Sequence, residues 1–141
     1  MVNLSITYPT RPDAASPTNT PSQTGNPTQT INRIMSLYKP SVGSFTDDGY
    51  ILEPYSAAET TTIALASLSL LNGLSNIDST KTATFLQSHL YTDLVGTYYS
   101  FKGLKILNKL STINTTKLVE YTKDCQKPNG VFKSDNAVLY R

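Results

Sequence analysis

Cysteine and histidine each occur once in the 141 residues, and tryptophan is absent. A lone Cys125 excludes an internal disulfide framework and leaves the redox compartment undetermined. With His89 the only imidazole and no strained strand-turn-helix elbow around a serine, nothing supports Ser-His-Asp catalysis. Charge is scarce too: 16% of residues are charged and the formal net charge is +2, so the chain as a whole does not read as a nucleic-acid binder. Its longest apolar stretch, Ile63 to Leu74, is broken by Ser67, Ser69 and Asn72 and falls short of the about 20 residues that a bilayer span needs. The first residues also lack the basic start and apolar run of a secretory leader, as those of a mature chain would.

What is present is a duplication. Leu68, Leu71, Asn72, Leu74, Ser75, Ile77, Thr80 and Lys81 recur as Leu104, Leu107, Asn108, Leu110, Ser111, Ile113, Thr116 and Lys117, always at the same step (104 − 68 = 36). A period of roughly 20 to 50 residues marks architectures whose units cannot bury their apolar faces alone and stack on their neighbours. Each unit reads as a helical hairpin: a longer helix rich in Leu and Ala, a turn of about five residues, and a shorter, more polar helix.

Start and stop signals place the helices. Ser56-Ala57-Ala58-Glu59 has the spacing of a capping box, in which serine and glutamate satisfy each other's exposed backbone N–H groups. The helix it opens runs to Asn72, with Gly73 expected to take the left-handed conformation that closes it. Asp78 and Asn114, one period apart, are both favoured N-caps for the second helices, the first of which extends to about His89. Upstream, Ile31, Ile34, Met35 and Tyr38 sit at helical spacing, ended by Lys39-Pro40. Three connectors put glycine two residues before an aromatic: Gly43-Ser44-Phe45, Gly96-Thr97-Tyr98 and Gly130-Val131-Phe132. The expectation is that glycine reverses the chain and the ring fills the space between stacked hairpins.

Residues 1–30 differ. From Pro9 to Thr30 the chain is dominated by Thr, Pro, Ser, Asn and Gln, and ordering it would cost entropy with little burial in return, the pattern of a disordered tail or linker. Before it, Val2, Leu4, Ile6 and Tyr8 alternate with polar residues, consistent with a short strand at 2–8. Such a strand could end an upstream β domain or act as a docking arm, or the segment could simply be a tail. The repeat domain then occupies 31–141. From Gly96 onward eight basic residues face three acidic ones, an excess (8 − 3 = +5) that reads as a solvated helix face or a site for an acidic partner.

The stretch Glu59-Thr60-Thr61 into Ala64-Leu65-Ala66-Ser67-Leu68, and that from Gly96-Thr97-Tyr98-Tyr99 through Cys125-Gln126-Lys127-Pro128-Asn129-Gly130-Val131-Phe132, resemble repeats of the protein prenyltransferase β-subunit and terpenoid-cyclase superfamily. The resemblance spans roughly Ile31 to Phe132 and departs from the family's Gly-Gly-Phe-like turn at Val131. It implies an all-α fold, helical-hairpin repeats forming part of an α/α toroid, with an irregular or β-like N-terminal extension. Tetratricopeptide stacking is the rival, but it leaves the glycine-aromatic connectors unexplained. A toroid of this kind closes with five or six hairpins, whereas this sequence supplies two and the beginnings of others.

Prenyltransferases of this family hold zinc with an Asp-x-Cys pair and a later histidine. Here Asp124 is adjacent to Cys125, so His89 and Cys125 are weak metal candidates and Cys125 matches the recurrent structural Cys-Gln instead. The family's cyclases use an acidic motif as general acid; Asp47-Asp48 is the nearest match and reads as a turn. No catalytic residue, metal or cofactor is therefore assigned. Tyr50, Tyr55, Tyr98, Tyr99 and Phe101 are candidates for a cavity rim, and Asn3 and Asn114 fit the N-glycosylation triplet. These triplets and the Thr/Pro-rich tail tilt the otherwise open compartment toward export or the cell surface. The favoured function is a non-catalytic helical-repeat interaction module that completes or joins a larger assembly through open repeat ends, with a protein partner or by self-association, and without nucleic acid. The alternatives are a fragment of a prenyltransferase or cyclase-like enzyme and a small-molecule or peptide-binding toroid.

Overall fold

The computed structural model describes residues 25–46 and 56–133. Five α-helices dominate them: α1 (Pro27–Met35), α2 (Ser56–Leu70), α3 (Ser79–Ser88), α4 (Leu94–Ile106) and α5 (Thr115–Asp124). Between α1 and α2 lies a two-residue ribbon, β1 (Tyr38–Lys39) antiparallel to β2 (Ser44–Phe45), with Tyr38 opposite Phe45. The expected strand at 2–8, Asp47-Asp48 and the side chain of Ser56, hence its half of the capping box, lie outside the described residues. None of the described helices is long and apolar enough to cross a membrane.

The duplicated hairpin is a structural fact. α3 and α5 begin at Ser79 and Thr115 and end at Ser88 and Asp124, one period apart at both ends (115 − 79 = 36). Single 3-10 turns at Leu74–Asn76 and Leu110–Thr112 lead into them. Asp78 accepts the Thr80 and Lys81 amides at 3.1 and 3.0 Å, and Asn114 accepts that of Lys117 at 3.0 Å, so both caps work as their residue types require.

The ends of α2 and α4 correct one expectation. Asn72 and Asn108, not Gly73, take the left-handed conformation, with φ of 56° and 55°. The next amide in each copy reaches back to close the helix, Gly73 to the Leu68 carbonyl at 2.7 Å and Lys109 to Leu104 at 2.8 Å. Asparagine tolerates left-handed φ better than most residues with a Cβ, and the six-residue loop-back supplies the hydrogen bonds that terminate the helix. Gly73 is small for another reason: Ile31 of α1 and Leu68 pack against it so closely that a Cβ would stand 3.1 Å from either.

At the N-terminal side, α1 starts at Pro27, inside the stretch expected to be tail up to residue 30. Asn26 accepts the Thr28 amide at 3.0 Å and Pro27 occupies the first turn, where its missing N–H is not needed. Tyr38 leaves the expected helix and enters β1, because Pro40 disfavours helical backbone at the preceding Lys39 and the chain turns back at Gly43, where φ is +82°.

The two long helices are apolar or small over most of their circumference, as helices covered from several sides are. They pack side by side, with α3 also against α4 and the ribbon against α2. Ala58, Leu65, Ala83, Leu86, Leu90, Leu104 and Ile113 form the core at this junction. Its tightest point is Gly103, where an added Cβ would lie 2.6 Å from Leu86 and 2.7 Å from Thr62. The Thr62 hydroxyl donates to the Tyr99 carbonyl at 2.7 Å across the same crossing. α1 and α5 bury no residue fully and form the margins.

The three glycine-aromatic connectors behave differently. Phe45 is 1% exposed, stacks on Tyr38 with ring centroids 4.9 Å apart, and donates its amide to the Thr61 hydroxyl of α2 at 3.0 Å, so this ring does fill the space between elements. Gly96 and Tyr98 lie inside α4, because Asp93 caps that helix by accepting the Gly96 amide at 2.6 Å, and no turn forms there. Gly130 does turn, with φ of +85°, but Phe132 stays 48% exposed. The first and third connectors are thus two versions of one strap, the second a residue shorter: Lys39 and Lys127 are 88 residues apart (127 − 39 = 88), Phe45 and Phe132 87 (132 − 45 = 87). In each, the residue before the ribbon accepts an amide from its far arm, Leu37 from Thr46 at 3.0 Å and Cys125 from Lys133 at 2.7 Å.

Candidate functional site

The groove of interest forms on the side of α4 that faces away from α2. It encloses about 630 Å³ and is lined mainly by apolar and aromatic groups from α4 (Leu94, Tyr98, Phe101), α5 (Leu118, Thr122) and the second strap (Phe132). Helical geometry explains the grouping: Leu94, Tyr98 and Phe101 follow at steps of four and three, and Leu118 and Thr122 at a step of four, so each set lies on one helical stripe.

Three of the five rim candidates are described. Tyr98, Tyr99 and Phe101 all line this groove, and the first two rings meet edge to face with centroids 5.2 Å apart. Tyr98 is 53% exposed and carries Lys102 over its ring at 5.4 Å. Tyr50 and Tyr55 lie outside the described residues. Leu94, Leu118, Thr122 and Phe132 were not among the expected rim residues. The period of 36 offers the signal for most of them, since it aligns each helix residue with a core position one repeat earlier.

His89 and Cys125 are the C-caps of α3 and α5, one period apart (125 − 89 = 36). His89 Nδ1 lies 2.9 Å from the Phe85 carbonyl and 3.1 Å from Ser88 Oγ, and its ring stacks on Phe85 at 4.4 Å. Cys125 is a buried free thiol under the strap. Among the described residues no group of three His, Cys, Asp or Glu side chains could hold a metal ion. Zinc needs three such protein donors with an open fourth position, and the residues described here do not supply them.

Asn114 is exposed, and its side-chain oxygen is used as the α5 cap; Asn3 lies outside the described residues. Part of the basic excess is folded onto aromatic faces: besides Lys102 on Tyr98, Lys117 lies over Tyr91 at 4.5 Å, and Tyr91 in turn meets Tyr121 edge to face at 5.6 Å.

Repeated hairpins with two apolar central helices flanked by more polar ones define a helical-hairpin repeat protein. The model of the prenyltransferase alpha-alpha toroid domain family matches residues 18–138, and the chain belongs to that family. No curated protein and no solved structure matches it.

Proposed function

We propose that this chain is a non-catalytic interaction module, a section of α/α toroid wall that joins or completes a larger assembly through an uncovered repeat face. The observation that supports this reading is the apolar groove beside α4, where Tyr98 and Phe132 leave about half of their surface to solvent. Contiguous exposed apolar patches mark interaction surfaces or ligand-binding grooves in folded proteins. Sedimentation of the chain across a wide concentration range, alone and with its native co-purifying protein, tests the reading. Assembly is expected; a monodisperse monomer of full helicity that joins no protein overturns it. Zinc analysis adds a second check, because stoichiometric zinc lost on Cys125→Ala would move the chain to the metal-dependent enzymes of its family.

The aromatic lining also favours a second reading, in which the groove holds a small apolar molecule. Mass spectrometry of an organic extract of the purified protein tests this, and repeated recovery of an empty protein argues against it.

A further inference from the structure

Among the described residues Asn114-Thr115-Thr116 is the one N-glycosylation triplet, and the fold uses only half of its asparagine side chain. Asn114 Oδ1 accepts the Lys117 amide at 3.0 Å and so caps α5. That bond fixes which end of the side-chain amide faces the helix, because an amide nitrogen is a donor and cannot accept an N–H. Nδ2 therefore stands on the far side of Cγ, where it makes no hydrogen bond among the described residues. Other asparagines are placed differently. Asn76 spends its Nδ2 on the Gly73 carbonyl at 2.8 Å, and Asn26, also a helix cap, is followed by Pro27, which the triplet forbids.

The exposure of Asn114 belongs to its place in the repeat rather than to what lies beside it. One period earlier the same place is held by Asp78, the cap of α3. The hairpin of Asp78 has a neighbour on each side: α4 packs on one, and the first strap on the other, where the Tyr38 hydroxyl accepts the Asp78 amide at 3.2 Å. Asp78 stays exposed between them. The turn from long to short helix thus follows an edge of the array that stacking leaves open, so a bulky group at Asn114 obstructs no repeat on either side. The main chain there is held firmly. The Asn114 carbonyl accepts the Leu118 amide at 3.1 Å and the Tyr91 hydroxyl at 3.5 Å.

We propose that Asn114 is an N-glycosylation site, taking its sugar from a glycosyl pyrophosphate donor. The bond that forms joins Nδ2 to the sugar C1, and the bond that breaks joins that C1 to a pyrophosphate oxygen. Pyrophosphate leaves with the bonding pair, and Nδ2 gives up one of its two protons. The product is a secondary amide whose Oδ1 still accepts, so helix cap and glycan share one side chain. The single thiol suits passage through an oxidising compartment, since Cys125 is 3% exposed and shielded from pairing with another chain. The site is independent of the interaction-module reading, because Asn114 is not among the residues that line the groove.

The test is the mass of the full chain isolated from its native cells, with glycopeptide sequencing around Asn114. One N-linked glycan is expected there, released by peptide N-glycosidase. An Asn114→Asp chain expressed in the same cells keeps the type of cap that Asp78 provides, so it should lose that glycan while circular dichroism shows unchanged helicity. Thr116→Val should lose it as well, and Thr116→Ser should retain it. An unmodified Asn114 in the native chain overturns the assignment. So does a mass increment that survives Asn114→Asp undiminished, which would place the sugar on a threonine hydroxyl or on Asn3 instead. Hydrogen exchange reads the shared cap: the Lys117 amide should be equally protected with and without the glycan, and faster exchange in the glycosylated chain would refute it.

Discussion

Replacing Gly103 by alanine adds one methyl group at the crossing of α2 and α4. In a solvated helix interior that change stabilises by about 1 kcal/mol, because alanine has less backbone freedom to lose. Here the new Cβ would stand 2.6 Å from Leu86 Cδ1 and 2.7 Å from Thr62 Oγ1. Leu86 is fully buried, and Thr62 is tied by its hydrogen bond to the Tyr99 carbonyl, so neither can recoil into empty space. Overpacking of this kind costs about 1–3 kcal/mol. Set against the propensity gain, the net is a loss of about 1 kcal/mol. In urea unfolding followed by far-ultraviolet circular dichroism, this lowers the midpoint by roughly 0.5 M for a small domain. A double-mutant cycle with Leu86→Ala isolates the cause: truncating the leucine makes room, so the cost of Gly103→Ala should shrink by about 1 kcal/mol in that background. A rise in midpoint for the single variant, or strict additivity in the cycle, would refute the reasoning.

Further predictions come from the two straps and the repeat ends. Gly43→Ala should cost more than about 2 kcal/mol, since left-handed φ is combined with a Cβ 2.6 Å from the α3 backbone; Gly130→Ala, with equal φ but open space, should cost only about 1 kcal/mol. Thermal melts of the two variants check the contrast, and equal losses would contradict it. Asn72→Gly and Asn108→Gly should each stabilise by up to about 1 kcal/mol and by similar amounts, because both residues hold the same left-handed cap. Ser100 Oγ is buried with no partner among the described residues, so Ser100→Ala should raise the urea midpoint, by roughly 1 kcal/mol of stability; a loss would show that the hydroxyl has a use.

Much of the local structure could be read before any packing was known. Asp78 and Asn114 cap their helices because a short oxygen-bearing side chain reaches amides only two or three residues ahead, a contact that depends on nothing distant. The step of 36 implies stacked hairpins for a related reason: two copies of one pattern fold alike locally, and each leaves an apolar face for its neighbour. The start of α1 at Pro27 is not legible in composition, which averages over a window, whereas Asn26-Pro27 starts a helix with two residues. Most of the groove lay in the same repeat, but Tyr98 and Phe101 were visible only as aromatics at helical spacing, which suits a core as well as a rim.

The glycine-aromatic triplets mark the boundary between the two kinds of knowledge. Gly43, Gly96 and Gly130 stand in the same short motif, yet the first turns beneath a buried ring, the second lies within a helix, and the third turns beside an exposed one. Periodicity, caps and helix order follow from residues within a few positions of each other, so the chain specifies them unaided. Whether a ring is covered depends on which helix, tens of residues away, arrives to cover it. α2 does so for Phe45, and among the described residues no helix does so for Phe132.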